Sequence, residues 1–407
     1  MSSRDYTSDS QIRYWHRGVG QTFAEATRLA AQWSEELSGQ ARIAVRTADP
    51  LLLNAVIRVA ARAETFLVAC PQHLPDAELD VLADELSLES VITGTAADHV
   101  HRRYPSRGAR DERGIAVFTS GTTGRPKVAI HDWTRIQKPA QAVPRHLHGR
   151  RWLMAYTPVS YAGLQVFFAA SNTEGSIYYC PDLTTETCEV ISQHGIEVIS
   201  ATPTYWRLLV GLWPPSLSRP RIIQATLGGE AVRQDTIDLV RSFFDPERIT
   251  HIYASTEAGS AIVTSDGREG FSRELLERTS PPRLRIRDGF LEIQSDTAML
   301  GYVGSRSNVS PEGWIRTPDK VIEKDGRVIF AGREDGVINV GGMKVGPEEI
   351  ELAINSLPGV VDSIVYARSN VITGSLLAAD VVRAPGGTVT SADVTAALGR
   401  VLPAYKI

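Results

Sequence analysis

Short apolar runs alternate with helical patterns as far as residue 253, and no other feature of the chain restricts its fold so much. Residues 43–45, Phe66–Ala69 and residues 91–93 read as strands, with helical patterns at 51–62 and 76–86 between them. The rhythm resumes with strand-like runs at 152–156, 177–179, 198–200, 222–227 and 252–253. Strands that alternate with helices form mainly parallel sheets covered by helices on both faces. Ahead of them, Thr22 and Glu25 have capping-box spacing, and Phe23, Ala26, Leu29, Ala30, Trp33 and Leu37 recur at helical intervals. Gly39 is expected to stop that helix as its C′ residue. Beyond Gly270 the pattern changes to turn-punctuated strands at 284–287, Phe290–Gln294, 320–323 and 327–330, with Asp325-Gly326 as a hairpin turn between the last two. Pro347, Glu348, Glu349 and Glu351 open a helix over 347–357.

A chain of 407 residues holds two to three domains. Its formal charge of −4 argues against nucleic acid as the main partner. The cluster Arg102, Arg103, Arg107 and Arg110, broken by Pro105, Gly108 and Asp111, reads as a solvated loop. Cys70, Cys180 and Cys188 lack metal-ligand spacing, and so few cysteines imply a reducing compartment. The first 18 residues carry no apolar signal core, and the best apolar run, 51–69, is interrupted by Arg58, Arg62 and Glu64. The expectation is a soluble, cytoplasmic protein without a membrane span.

One loop carries a specific chemical signal. Thr119, Ser120, Gly121, Thr122, Thr123, Gly124, Arg125, Pro126 and Lys127 follow the apolar run 114–117. Glycines admit the positive φ values that let backbone N–H groups converge on an anion. Hydroxyls and a lysine beside them suit a polyphosphate. This is not a Walker A loop, because only two residues separate Gly121 from Gly124 and Lys127 does not follow the second glycine directly.

Three further constellations lie downstream. Gly228-Gly229-Glu230 stands at a strand end, where glycines let a flat ring approach the backbone. Tyr253-Ala254-Ser255-Thr256-Glu257, also at a strand end, offers an aromatic face, hydroxyls and a carboxylate suited to Mg²⁺. Gly313-Trp314 through Thr317-Pro318-Asp319, followed by Gly332-Arg333-Glu334-Asp335, offers a carboxylate for a ribose diol and a guanidinium for a charged oxygen. Each alone is equally a turn or an ion pair.

Together and in this order, these residues resemble the adenylate-forming superfamily of acyl-CoA synthetases, adenylation domains and luciferases, over roughly residues 20 to 407. The resemblance implies an α/β fold: a large N-terminal domain of doubly wound sheets with a small β-barrel-like subdomain (1–334), followed by a small α+β C-terminal lid (335–407), incomplete at its end. It implies ATP-dependent activation of a carboxylic acid to an acyl-adenylate, then transfer to the thiol of CoA or of a carrier protein's phosphopantetheine. Thr119 to Gly124 and Lys127 would then hold the β- and γ-phosphates. Gly229 and Glu230 would flank the adenine opposite Tyr253, and Asp319 would take the ribose hydroxyls with Arg333 beside it. Thr256 would contact the α-phosphate or the acyl carboxylate, and Glu257 would help bind Mg²⁺; with Lys127 these two form the expected catalytic set. Asp335 matches the hinge of the lid, and Gly341-Gly342 the approach of the thiol. Tyr161, Gly163, Leu164, Phe167, Thr204, Tyr205, Gly228 and Ala254 fall at the acid-pocket positions. Their apolar and aromatic character suits an aryl or medium acyl acid, and no aspartate follows Thr157-Pro158 to hold an α-ammonium. Tyr161, Phe167 and Phe168 are equally ordinary helix-face core.

The chain departs from the superfamily pattern in several places. Pro318 replaces a glycine between Thr317 and Asp319, Ala254 replaces the glycine after the tyrosine, and Val128 the glycine after Lys127. The Ala254 methyl is expected to narrow the pocket near the substrate carboxyl. Residues 402–407 resemble the Leu-Pro-x-Tyr-Lys-Val segment, beyond which the superfamily places its catalytic lysine. Either this is a shortened form of a longer protein or a form deficient in adenylation, and in both cases it is expected to bind ATP yet release pyrophosphate slowly. A nucleotide-binding regulatory homologue and an enzyme that passes its adenylate to an amine are the alternative readings.

Overall fold

The structure, a computed structural model, describes residues 12–16, 18–105, 113–119, 127–180, 182–303, 309–334, 336, 338–340, 343–370, 374–402 and 407. Two mainly parallel sheets dominate it. In the first, strands run in the order Gly259–Thr264, Arg248–Ser255, Gln224–Gly228, Val198–Ala201, Arg151–Met154, Ser176–Tyr179, Ile12–His16 and Val19–Thr22. Its inner pairs are parallel and only the two edge pairs antiparallel. The second runs Gly301–Tyr302, Lys127–His131, Gly114–Thr119, Phe66–Ala69, Arg42–Arg46, Ser90–Gly94 and His99–Arg103. It too is parallel inside and antiparallel at its edges.

Side chains alternate across each strand, so each sheet feeds two cores. Trp152 and Met154 from the first sheet and Val45, Leu67 and Val117 from the second share one core with the helices Phe23–Glu36, Pro50–Arg62, Trp133–Gln141 and Tyr161–Asn172. Leu153, Ile199 and Leu227 point the other way, onto Trp206, Ile237 and Phe244 of the helices Pro203–Leu212 and Gln234–Phe244. Phe66, Val68 and Ala116 form a third core with the helix Asp76–Glu85. The helices thus form a layer between the sheets and cover their outer faces. The Thr22 capping box closes in both directions on the first helix.

The β-rich part is a five-stranded antiparallel sheet in the order Phe271–Ser272, Arg327–Arg333, Ile315–Lys324, Phe290–Gln294 and Arg283–Arg287. The Asp325-Gly326 hairpin is present, both residues at positive φ. Residues 338–402 gather a core of their own from the helices Pro347–Asn355 and Ser391–Val401 and the hairpin of Val360–Asn370 with Gly374–Arg383.

Some expectations need correction. Arg102 and Arg103 belong to an edge strand paired with Ser90–Gly94, and Arg102 forms ion pairs with Asp76 and Asp80, so they are not part of a loop; Arg107 and Arg110 lie outside the described residues. The first helix caps at Leu37, and Gly39 takes its positive φ two residues later. The strand expected over 152–156 ends at Met154, leaving Tyr156 beyond the sheet edge. Cys70, Cys180 and Cys188 are all buried free thiols, pushed up by burial to about 12, about 12 and about 11. Among the described residues no helix is long and apolar enough to cross a membrane.

Candidate active site

The strand Arg248–Ser255 carries the centre of the site, because it ends with Tyr253 to Ser255 and the turn Thr256-Glu257 where the sheet meets both the β-rich part and the second parallel sheet. Two polar clusters flank that strand end. In the first, the Tyr253 hydroxyl donates to one carboxylate oxygen of Asp319, and Arg333 Nη1 donates to the other at 3.2 Å. Asp319 and Arg333 sit opposite each other on the antiparallel strands Ile315–Lys324 and Arg327–Arg333. The Asp319 N–H donates to the Thr317 hydroxyl at 3.3 Å, which in turn donates to the Leu291 carbonyl at 2.8 Å. Asp319 is therefore buried but held on all sides. Phe330 stacks on one face of Tyr253, with ring centroids 4.9 Å apart and planes at 13°. Burial and the Asp319 charge raise the Tyr253 phenol well above its ordinary value, so it stays a donor.

The second cluster lies at the edge of the other sheet. Gly301–Tyr302 pairs with Ile130 and Ala129, which brings Tyr302 beside the start of the strand Lys127–His131. The Lys127 ammonium lies 5.3 Å from the centre of the Tyr302 ring. The Tyr302 hydroxyl donates to Glu257 Oε1 at 2.5 Å, and burial with that carboxylate beside it pushes the phenol up. The Met299 N–H donates to the Glu257 carbonyl at 3.0 Å, fixing the turn. Lys127 is thus tied to the acidic turn through one aromatic residue. Thr119 pairs with Lys127 across the neck of the loop, and its hydroxyl donates to the Lys127 carbonyl at 3.4 Å. Ser120, Gly121, Thr122, Thr123 and Gly124 lie outside the described residues, as do Asp335, Gly341 and Gly342. Tyr302→Phe is expected to leave the fold intact and weaken the Glu257 site. A hydrogen bond to a charged group is worth about 1.5 kcal/mol or more, so, with Glu257 in the Mg²⁺ role that the resemblance implies, the Mg²⁺ concentration needed for half-maximal nucleotide binding should rise roughly tenfold in a calorimetric titration.

The third motif sits across the sheet. Gly229 adopts φ +84°, which favours glycine, and a side chain at Gly228 would crowd the Ile252 carbonyl at 3.0 Å. Tyr156 donates to the Gly228 carbonyl at 3.1 Å. Glu230 turns away from this backbone and accepts from the Thr204 N–H at 3.0 Å and the Thr204 hydroxyl at 2.8 Å. Thr204 is therefore engaged with the glycine motif and with Arg207, which donates to its hydroxyl at 3.0 Å.

The expected pocket residues divide. Tyr161, Leu164 and Phe167 are buried in the core between the sheets, and Ala254 packs against that core. A side chain at Gly163 would strike the Thr157 carbonyl. Tyr205 goes elsewhere: it packs into the outer core beside Cys180 and Cys188, on the other side of the first sheet. The structure does not bring it to the wall formed by Tyr161 and Leu164. Tyr302, Phe330, Tyr156 and Arg207 were not singled out by the sequence, since nothing local marks them. Among the described residues no group of three or more His, Cys, Asp or Glu could hold a metal ion alone.

This architecture recurs in solved adenylate-forming enzymes. It superposes on E. coli MenE with bound OSB-AMS at a TM-score of 0.74 and 19% identity, covering 98% of this chain and 90% of that one. Residues 40–283, more than half of the chain, match the AMP-binding enzyme family. The chain belongs to that family. It is 27% identical over 326 residues to p-hydroxybenzoic acid–AMP ligase FadD22 of Mycobacterium tuberculosis, covering 73% of this chain and 45% of that protein. It is 26% identical over 323 residues to 2-succinylbenzoate–CoA ligase of Bacillus velezensis, covering 73% of this chain and 64% of that protein. The chain thus spans less than two thirds of the length of either relative.

Proposed function

We propose that this chain activates a carboxylic acid with ATP and passes the acyl group to a thiol. The convergence of Lys127, Tyr302 and Glu257 on one side of a strand end, and of Tyr253, Asp319 and Arg333 on the other, carries this reading. In the first step a carboxylate oxygen forms a bond to the α-phosphorus, and the bond to the bridging oxygen breaks, so pyrophosphate leaves with that electron pair. In the second, a thiolate sulfur bonds to the acyl carbon and AMP leaves as the phosphate anion. Such chemistry needs positioning and charge stabilisation more than covalent catalysis.

Thr119, Ser120, Gly121, Thr122, Thr123, Gly124 and Lys127 would hold the departing pyrophosphate. Gly229, Glu230 and Tyr253 would bracket the adenine. Asp319 would accept the ribose hydroxyls, with Arg333 holding it in place. Thr256 would orient the α-phosphate or the acid. A single carboxylate beside phosphate oxygens suits Mg²⁺, which commonly keeps one or two protein carboxylates, so Glu257 fits the ion. When bound, Mg²⁺ would supply charge neutralisation on the phosphates. Residues 335–407 would form a lid hinged at Asp335, with Gly341 and Gly342 lining the thiol's approach. The acceptor is the thiol of CoA or of a carrier-protein phosphopantetheine.

An aryl or medium acyl acid suits the wall of Tyr161, Gly163, Leu164, Phe167, Gly228 and Ala254. Carboxylate-stimulated ATP–pyrophosphate exchange across a panel of acids tests the assignment, run on this chain and on any longer form. Acid-dependent exchange is expected; ATP binding with no exchange for any acid in either form would favour a regulatory nucleotide-binding protein. Ala254→Gly is expected to admit bulkier acids, with kcat/KM for an ortho-substituted benzoate rising severalfold relative to benzoate. An unchanged ratio would remove Ala254 from the pocket.

A further inference from the structure

One buried group between the two sheets has no partner and no use in the fold. His131 ends the strand Lys127–His131, is fully buried, and finds no hydrogen-bond partner for either ring nitrogen. Its ring lies 5.3 Å from that of Tyr161, at 37°. The Tyr161 hydroxyl is buried as well, with the Ser260 backbone as its polar neighbour and its own O–H left to donate. Buried polar atoms in folded proteins are nearly always paired, and each exception calls for an explanation. Here both imidazole nitrogens are unpaired, and a phenol with an undirected O–H lies beside them.

Their position points to a ligand. Lys127, Ala129 and His131 share one face of their strand, since side chains alternate. Val128 and Ile130 pack into the outer core, so the His131 face is the one turned to the interior between the sheets. His131 therefore lies roughly 13 Å along the strand from Lys127. Tyr161 bridges the gap from the other side: Ser260, beside its hydroxyl, pairs with Ala254, two residues before Thr256. An acid whose carboxylate lies at Thr256 would meet the Tyr161 hydroxyl first and His131 beyond it.

We propose that His131 and the Tyr161 hydroxyl form the distal, polar end of the acid pocket, and that the preferred acid carries an uncharged hydroxyl or oxo group there. This rests on the reading of the chain as an acid-activating ligase. Burial holds His131 down to about 4, so at neutral pH its ring is uncharged and offers one donor and one acceptor. A phenol or alcohol satisfies both of its functions with His131 and Tyr161. A ketone takes a hydrogen bond from either. A second carboxylate would be buried beside neutral groups and is disfavoured. A plain hydrocarbon leaves both imidazole nitrogens and the Tyr161 O–H unpaired.

Matched acids separate these cases: benzoic, 3- and 4-hydroxybenzoic and terephthalic acid, with hexanoic, 5-oxohexanoic and adipic acid as the aliphatic set. Each is assayed by ATP–pyrophosphate exchange and, independently, by calorimetric titration of the acid into the protein with AMP present. The hydroxyl or oxo member of at least one set is expected to exceed both its plain and its dicarboxylate counterparts by roughly tenfold or more, because a site built for a hydroxyl rejects the analogue that lacks it. His131→Phe and the smaller change Tyr161→Phe should each collapse that ratio to below about threefold. The His131 ring signal in a ¹³C-labelled sample should shift with the hydroxylated acid and not with the plain one. Plain acids or dicarboxylates matching the hydroxyl and oxo acids, or a ratio that survives both substitutions, would overturn the proposal. Selective binding with no exchange in this chain or in any longer form would uphold this pocket and sink the ligase assignment; acid-dependent exchange without selectivity would do the reverse. Binding of no acid at all would end both.

Discussion

Lys127→Ala is expected to slow acid-dependent ATP–pyrophosphate exchange by about 10²–10³-fold, the usual effect of removing one donor that acts on charge developing in the transition state. The residue opens the strand Lys127–His131, so its backbone is fixed by the ladder while its side chain extends from the sheet edge. It lies above the Tyr302 ring, whose hydroxyl donates to Glu257. That geometry places a positive charge beside the acidic turn, where pyrophosphate would gather negative charge as it leaves. Lys127→Arg keeps the charge but replaces a compact ammonium with a planar fork, so an intermediate loss of roughly tenfold is expected. Because Lys127 is exposed and outside every core, circular dichroism and melting should match the parent chain. A calorimetric titration with ATP should show weaker binding in the alanine variant. Exchange within threefold of the parent would remove Lys127 from the machinery.

The elements that sequence reading recovers are those buried on both faces. Phe66–Ala69 is apolar at every position and fully buried, so its composition alone marks an interior strand. His99–Arg103 is the opposite case. Its residues read as a basic loop, yet it completes a sheet edge because His101 meets Ser90 Oγ at 2.7 Å and Glu36 at 3.3 Å, while Arg102 meets Asp76 and Asp80. Those partners lie far off in the chain, so no local window contains the reason for the strand. Gly301–Tyr302 is hidden for the same cause: an edge strand takes its order from what it pairs with, here Lys127–His131.

The site divides along the same line. Tyr253, Asp319 and Arg333 are legible because the motif order singles them out, and the structure brings them into one hydrogen-bonded cluster. Phe330 and Tyr302 are not, because an aromatic residue in a strand signals ordinary packing until its tertiary neighbour is known. Thr204 and Tyr205 show how one step along a helix separates roles. Adjacent helical positions differ by about 100°, and here one side chain reaches Glu230 while the next enters the outer core.

Arg207→Met is expected to undock the C-terminal region from the helix Pro203–Leu212, because it strands a buried carboxylate. Arg207 donates to Asp362 Oδ1 through Nε at 3.2 Å and Nη2 at 3.0 Å, and Asp362 is almost fully buried. Asn355 adds a third donor to the same oxygen at 3.1 Å. Removing one partner of a buried ion pair costs about 3–5 kcal/mol, whereas replacing both with apolar groups is often neutral. Arg207→Met alone should therefore raise hydrogen exchange in Val360–Asn370 and enlarge the radius of gyration. Adding Asp362→Leu should restore most of the docking. One contact beside it, Val361 lying close enough to Gly211 that a Cβ there would stand 2.9 Å from it, is apolar and survives in both variants. Arg207 also donates to the Thr204 hydroxyl, which donates to Glu230, so the same guanidinium ties the docked strand to the glycine motif. A severalfold loss of ATP affinity that the second substitution does not rescue would identify this branch. Docking is restored by apolar replacement, but the hydrogen bond to Thr204 is not. Unchanged hydrogen exchange in Arg207→Met would show that the apolar contact at Gly211 suffices to hold the two regions together.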